Sequence, residues 1–339
     1  MPRVESIAKA FGLGRPVEPL TPVQHTSFET WRLRTGSADY LVKRLWGLED
    51  PPWWTRIEQG MALESAALSQ GLPIARPIEP RDPVFGYAAR VDDFGTIRLY
   101  DWIDHRTLTD ADNVAPWLGQ VVAALHRLMP LTGEQPEWRW WGVFPRDRWE
   151  EWALLGRSQG KQWADALHRQ VGFFDELGQS IKAAFAAAGD QVRSHGDLEP
   201  YNVLVSSEGP VLIDWESVAC ESATLEIGRA AASFGGDDPD RISRILLEYV
   251  DSGGVLAPIG DDLFLRKVSL RLCHLAERLD VHVGKEPAPG WMQGQDLAAL
   301  ISQDLQSFPQ VVIHLRHLAA SCLGCLPLRA ARRTSVTSS

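Results

Sequence analysis

Cysteine is scarce in this chain. Cys220, Cys273, Cys322 and Cys325 are the 4 in 339 residues, too few for a disulfide framework at this length. No apolar run approaches the ~18 residues that a membrane-spanning helix requires. The segment from Met1 to Gly14 lacks the apolar stretch of a secretory signal. The expectation is a cytoplasmic protein without a membrane partner. Positive charge is also short: 34 Lys and Arg stand against 44 Asp and Glu, a net charge of −10. That balance argues against a general nucleic-acid surface and would suit a cationic small partner.

What is present is an ordinary globular composition, 45% hydrophobic and 23% charged, long enough for one large domain or two ordinary ones with ample core. No internal repeat is visible. Phe28–Leu33 and Tyr40–Leu45 read as strands joined by Thr35-Gly-Ser-Ala-Asp39, a hairpin signature. Thr55–Gln70 reads as a helix with Ile57, Met61, Glu64, Ala67 and Leu68 on one face, stopped by Gly71 and Pro73. Tyr87–Val91 and Thr96–Ile103 read as a second strand pair. Beyond Ile103 the period becomes helical: Val114 to Leu128, Leu177 to Ala188, Ile242 to Tyr249 and Leu263 to Leu279. One β island interrupts it, Asn202–Val205 and Pro210–Ile213 around Ser206-Ser-Glu-Gly209. The fold class is therefore α+β. A small β-rich N-terminal lobe spans 1–103, a larger mainly helical lobe 104–327, and a polar tail expected to be disordered 328–339. A cleft between two lobes is where a ligand could be clamped.

His314, His317, Cys322 and Cys325 have the residue types of a zinc site. However, His314, Leu315, Leu318 and Cys322 recur at helical spacing. The segment reads better as a helix with a buried thiol.

The densest chemistry lies in His195-Gly-Asp-Leu-Glu-Pro-Tyr-Asn202, followed by Val211-Leu-Ile-Asp214-Trp215. Asp197 precedes a strand, Asn202 opens it, and Asp214 ends the antiparallel partner. The hairpin brings Asn202 and Asp214 side by side as hard oxygen ligands, a set suited to Mg²⁺. A lone loop Asp is ordinarily a turn cap; three polar groups converging through one hairpin are not explained that way.

These two motifs resemble the aminoglycoside phosphotransferase family, within the protein-kinase-like small-molecule and antibiotic kinases. The similarity runs in register from about Ala10 to Leu318. It implies a two-lobed kinase-like fold and transfer of the γ-phosphoryl of ATP or GTP, with Mg²⁺, to a hydroxyl of a small-molecule acceptor. It implies Asp197 as catalytic base and Asn202 and Asp214 as metal ligands. Lys43 would contact the nucleotide phosphates, and Glu64 would pair with that lysine. Arg44 is a rival for Lys43, but Leu41, Lys43 and Leu45 alternate onto one strand face. Glu64 lies on the apolar helix face, where a carboxylate needs a cation. The stretch Arg98–Asp104 resembles the adenine-binding linker, with backbone from Asp101 to Ile103 reading the base edge and Trp102 either stacking on it or packing. His126, in Leu125-His-Arg-Leu, reads as a core histidine.

The sequence departs from the family pattern in four places. The phosphate-covering loop near His25-Thr-Ser-Phe28 has no glycine, which leaves Ser27 and backbone amides to serve. Glu199 replaces a common His and would meet a cationic acceptor or be solvated. Cys220–Glu226 replaces a Gly-Asp-Pro motif and would preserve a helix start. Trp138-Arg-Trp-Trp141 and Trp149-Glu-Glu-Trp152 form an aromatic cluster. Trp141 and Trp149 would line an acceptor site with Glu150 and Glu151, or pack as core. With the acidic balance, Glu199 and the Trp cluster point to a cationic or aromatic acceptor; the expected assembly is a monomer or homodimer. Three readings stand: an antibiotic kinase, a metabolic kinase for a choline-, homoserine- or sugar-like acceptor, and a non-catalytic kinase-like nucleotide-binding protein.

Overall fold

Hydrophobic period translates into secondary structure along most of the chain. The computed structural model describes residues 2–23, 29–45, 51–92 and 94–325. Ser27, its loop and the tail at 328–339 lie outside the described residues. The first elements are α1 (Pro2–Ala10), β1 (Thr21–Pro22), β2 (Thr30–Arg34), β3 (Asp39–Arg44), α2 (Pro51–Ser69), β4 (Ala88–Val91), β5 (Gly95–Asp101) and β6 (Arg106–Thr107). There follow α3 (Ala115–Leu128), α4 (Arg146–Ser158), α5 (Ala164–Ala188), β7 (Gln191–Ser194), β8 (Val203–Ser206) and β9 (Gly209–Leu212). The chain continues through β10 (Ala219–Ser222), α6 (Ala223–Gly235), α7 (Pro239–Asp251), α8 (Leu265–His282) and α9 (Leu297–Cys325). They form two compact units, one of Met1–Val114 with His195–Ala219, the other of Ala115–Ser194 with Cys220–Ser339.

In the first unit a five-stranded sheet runs β1-β2-β3-β5-β4. Helix α1, unforeseen from the sequence, lays Val4, Ile7 and Phe11 into a core with Leu33, Val42, Ile97 and Leu99. That spacing is one apolar helical face. Helix α2 begins at Pro51, one turn before the expected Thr55. Proline is tolerated there because the first-turn amides have no helical acceptor. It ends at Gly71, whose φ of 71° is left-handed, with Leu72 N–H on the Ala67 carbonyl at 3.1 Å. A second sheet, β6-β8-β9, carries the hairpin expected from the sequence, with Val203 opposite Leu212.

The second unit is helical. Its core gathers Trp141, Trp149, Trp152 and Trp163 with Phe174, Phe185 and Phe308. Helix α5 is twice the length that its C-terminal half suggested, because Leu167, Val171 and Phe174 continue the same buried stripe. Pro309 sits inside α9 and cannot bond the Leu305 carbonyl. Gln170 of α5 donates to that carbonyl instead, at 3.0 Å. The start of α6 is secured by Ser222, whose hydroxyl accepts from Leu225 N and donates to Asp190 at 2.6 Å. The departure at Cys220–Glu226 thus keeps its helix start. On α9, His314 is exposed and meets Asp237 at 3.0 Å, while Cys322 is buried with its thiol toward the Pro239 carbonyl.

His126 is buried between two partners, Glu226 at 2.8 Å and the Tyr249 hydroxyl at 2.9 Å. Burial pushes the Glu226 carboxyl up, but the His126 hydrogen bond and charge, with Arg229, outweigh it and hold it at about 2, below the ordinary 4.5. A depressed carboxylate stabilises the fold above its unfolded pKa and loses that contribution as pH falls toward the folded one. Glu226→Gln should therefore be less stable than the parent at pH 7 by on the order of 3 kcal/mol. The gap should narrow between pH 5 and pH 3 in urea unfolding; a gap independent of pH would show that this carboxylate is not the source.

Candidate active site

The central strands place two cations side by side. Lys43 on β3 is opposite Arg98 on β5, on one face of the sheet. Both are buried, whereas Arg44 faces outward and pairs with the exposed Glu29. Three carboxylates converge on the two cations. Lys43 Nζ lies 2.6 Å from Asp214 Oδ1 and 2.6 Å from Glu216 Oε2. Arg98 donates to Glu216 Oε1 at 3.3 Å and also to Glu64. Glu64 does sit on the inward face of α2, fully buried. The expected Glu64–Lys43 pair is replaced, however, by Glu64–Arg98, while Lys43 is drawn to the segment after β9. The physical reason is a choice between adjacent cations. The guanidinium presents several donors and bridges Glu64 and Glu216 together, leaving the single Lys43 ammonium to Asp214 and Glu216.

The protonation tendencies follow. Burial alone would lower Lys43, but Asp214 and Glu216 raise it overall. Burial drives Glu64 up to about 7 against the pull of Arg98. Burial likewise drives Glu216 up, further than Lys43 draws it down. Desolvation works against the charged form of Asp214, yet Lys43 holds it below the ordinary value. Among the three carboxylates around these two cations, Asp214 is the one held below its ordinary value, so it keeps the charged form that a further cation could meet.

The hairpin supplies the rest. Gly196 turns with φ 75°, and a Cβ there would fall 2.1 Å from the Ser217 carbonyl, so only glycine lets the loop approach the short 3₁₀ turn Trp215–Ser217. His195 Nε2 donates to the Ile213 carbonyl at 2.9 Å, and its Nδ1 accepts from the Asp197 amide at 3.3 Å. The ring thereby ties the Asp197 loop to the end of β9. Asn202 Nδ2 donates to Asp197 Oδ2 at 2.8 Å and to the Asp197 carbonyl at 2.9 Å. Its amide oxygen is thereby turned away from Asp197. Ile213 N–H donates to the Asn202 carbonyl at 3.0 Å, one step beyond the β8–β9 ladder. Asp214 follows with φ 72°, the one non-glycine residue at positive φ among those described. Such strain persists where neighbours over-determine the backbone, and here Lys43 grips the side chain. Asn202 and Asp214 are hard oxygen donors; among the described residues no cluster of three or more His, Cys, Asp or Glu forms a metal site by itself. Two protein oxygens completed by phosphates and water are what Mg²⁺ commonly takes, so the donor set fits.

The structure brings Lys43, Glu64, Asp197, Asn202 and Asp214 into one unit. In the linker, the Asp101 amide is committed to the Arg76 carbonyl at 3.0 Å and the Ile103 carbonyl meets His105 at 2.8 Å. Among the described residues the Ile103 amide donates to no protein group. Trp102 carries Arg32 over its ring at 4.3 Å. Glu199 is buried rather than solvated. Trp141 and Trp149 require a correction. Trp141 packs edge-on to Phe185 at 5.3 Å and Trp149 stacks on Phe174 at 4.6 Å. Both rings are about 1% exposed or less, so neither offers a face to an acceptor, and the aromatic part of the acceptor expectation loses its support. Arg98, Glu216 and Tyr201 were not singled out from the sequence. An arginine between Ile97 and Leu99 in an apolar strand was the available signal, since a buried guanidinium demands carboxylates.

Removing Arg98 leaves Glu64 and Glu216 buried without their guanidinium. Arg98→Met should destabilise the protein by about 3–5 kcal/mol in urea unfolding. Arg98→Met combined with Glu64→Leu should cost less than the sum of the two single changes. Strict additivity would show that the pair does not interact.

Over residues 19–255 the chain matches the phosphotransferase enzyme family APH. No curated protein matches it by sequence. Solved structures similar to it share the fold at low identity. Amicoumacin kinase hAmiN, in complex with AMP-PNP, Ca²⁺ and Ami, aligns at TM-score 0.62 and 12% identity, covering 91% of this chain and 92% of that one. Choline kinase LicA from Streptococcus pneumoniae aligns at 0.58 and 16%, covering 92% and 99%. The AMP-bound spectinomycin phosphotransferase APH(9)-Ia aligns at 0.53 and 15%, covering 95% and 97%. The fold is kinase-like, with a small antiparallel sheet and a mostly helical remainder. The match over more than two thirds of its length, on a chain that assembles Lys43, Asp197, Asn202 and Asp214 in one unit, makes this protein a member of the APH phosphotransferase family.

Proposed function

We propose that this protein transfers the γ-phosphoryl of ATP or GTP to a hydroxyl of a small molecule. The observation that carries the reading is the hairpin geometry: Asp197 is held by Asn202 beside the end of β9, where Asp214 meets Lys43. The acceptor hydroxyl donates to the Asp197 carboxylate. As its oxygen bonds to the γ-phosphorus and the nucleoside diphosphate leaves, Asp197 takes the proton. Asn202 holds that carboxylate in one orientation. Asn202 and Asp214 would hold Mg²⁺, which when bound neutralises phosphate charge. Lys43, poised on Asp214 and Glu216, would meet the phosphates. The Asp101–Ile103 backbone would meet the base edge.

An antibiotic acceptor is the first reading, supported by the likeness to kinases whose names carry amicoumacin and spectinomycin. The likeness to a choline kinase keeps a metabolic acceptor as the second. The net charge of −10 favours a cationic acceptor in either case. A non-catalytic nucleotide-binding role is disfavoured, because no polar group that the transfer needs is missing from this hairpin and strand.

Two measurements test the reading. Incubation with ATP or GTP and mixtures of aminoglycosides, other antibiotics, choline and sugars should give one acceptor a mass gain of ~80 Da, one transferred phosphoryl. For that acceptor, Asp197→Asn should lower kcat roughly 10²–10⁴-fold with nucleotide affinity little changed. Full turnover by the variant would remove Asp197 from the role of base.

A further inference from the structure

Residues 102–105, just after β5, belong to no helix or strand. Trp102 is nevertheless fixed on three sides. Its amide donates to the Asp39 carbonyl at 3.1 Å, one residue beyond the Tyr40–Asp101 pair of β3 and β5. Its indole Nε1 donates to Asp104 Oδ1 at 3.0 Å. The Arg32 guanidinium lies over its ring, 4.3 Å from the centroid. Asp39 aims that guanidinium, accepting from Nε at 2.9 Å and also from Nη2. A planar donor gripped at two nitrogens is held in one orientation, as a lysine ammonium would not be. Strand register shows where this clasp sits. Arg32 on β2 is opposite Leu41 on β3, and Leu41 shares a strand face with Lys43 two residues on. The clasp thus joins the sheet face of Lys43 to the linker.

Strand pairing does not need it. β2 and β3 are already paired from Thr30–Lys43 to Arg34–Asp39, and a partly exposed ion pair such as Arg32–Asp39 adds little stability. What it does fix is the attitude of an indole that is only half-buried. We infer that Arg32 is a specificity-determining residue for the nucleobase: with Asp39 it locks Trp102, and so holds the linker ready for a purine. This rests on the reading that the Asp101–Ile103 backbone meets the base edge. Holding a binding segment in its bound form removes the cost of ordering it. A loosened linker would still leave Lys43 and the metal ligands to the triphosphate, but would discriminate less between bases. Arg32 is thus a positioning residue whose effect is exerted through Trp102.

The test needs no identified acceptor. Full-length protein is titrated calorimetrically with the Mg²⁺ complexes of ATP, GTP and CTP, which share ribose and triphosphate and differ in the base. The parent should bind its preferred purine nucleotide at least about tenfold more tightly than CTP. Arg32→Met and Trp102→Leu should each lower that ratio roughly 3–10-fold, with CTP affinity and the thermal unfolding midpoint little changed. Arg32→Lys keeps the charge without the fork and should not restore the ratio. In the double variant the ratio should equal that of Trp102→Leu alone, because the guanidinium acts through the ring. Equal losses for all three nucleotides would show a merely structural role, and additive losses in the double variant would separate Arg32 from Trp102. Either result overturns the proposal, as does a ratio unchanged by Arg32→Met. If the parent itself binds all three nucleotides alike, the assignment of the linker to the base fails first.

Discussion

Four buried charged groups and the half-buried Asp214 tie the first unit together: Lys43 and Arg98 on adjacent strands, with Glu64, Glu216 and Asp214 around them. Each charge removed from water is costly, and the cost is offset only when partners and hydrogen bonds are in place together. The network therefore ties three separate pieces of chain to one geometry. Glu64 comes from α2, the cations from the sheet, and Asp214 and Glu216 from the segment after β9. A shift of any piece would leave a buried charge unmatched. The proposed site inherits its rigidity from this constraint. Lys43 and Asp214 are held 2.6 Å apart before any ligand is considered.

Backbone chemistry makes the close approach feasible. A side chain on Gly196 would strike the Ser217 carbonyl, and one on Gly60 of α2 would meet the Trp215 carbonyl at 2.4 Å. Both glycines let neighbouring backbones press against the short turn that carries Glu216. His195 adds a hydrogen bond on either side of its ring and packs edge-on against Trp215 at 5.0 Å. The Asp197 loop and the Asp214 turn are thereby joined by main-chain and ring contacts as well as by charge. The second unit solves its own problem differently. Tryptophans packed largely edge to face fill its core, and its buried charges include two pairs, His126 with Glu226 and Arg266 with Glu221.

Much of this was legible because it is local. Alternation put Lys43 on the inner face of β3 and left Arg44 outside. The apolar stripe of α2 pointed Glu64 inward. The hairpin followed from two short β-favouring runs around a turn. The readings of the site that changed depended on distant chain. Nothing near Trp141 or Trp149 in sequence says that Phe185 and Phe174 will cover them. Helix α1 had a clear apolar spacing, but its burial required the sheet residues Leu33 and Leu99.

The sequence by itself determined the chemistry of the hairpin. Asp197, Asn202 and Asp214 are separated by short, stiff pieces of chain, and strand pairing with a two-residue turn leaves their arrangement little freedom. Tertiary structure alone decided which cation meets which carboxylate. Lys43 and Arg98 are neighbours on one sheet face, and either could have received Glu64. The outcome depended on where α2 and the turn after Asp214 come to rest over the strands. Spacing along the chain sets what a segment can present; only packing sets what it finds opposite.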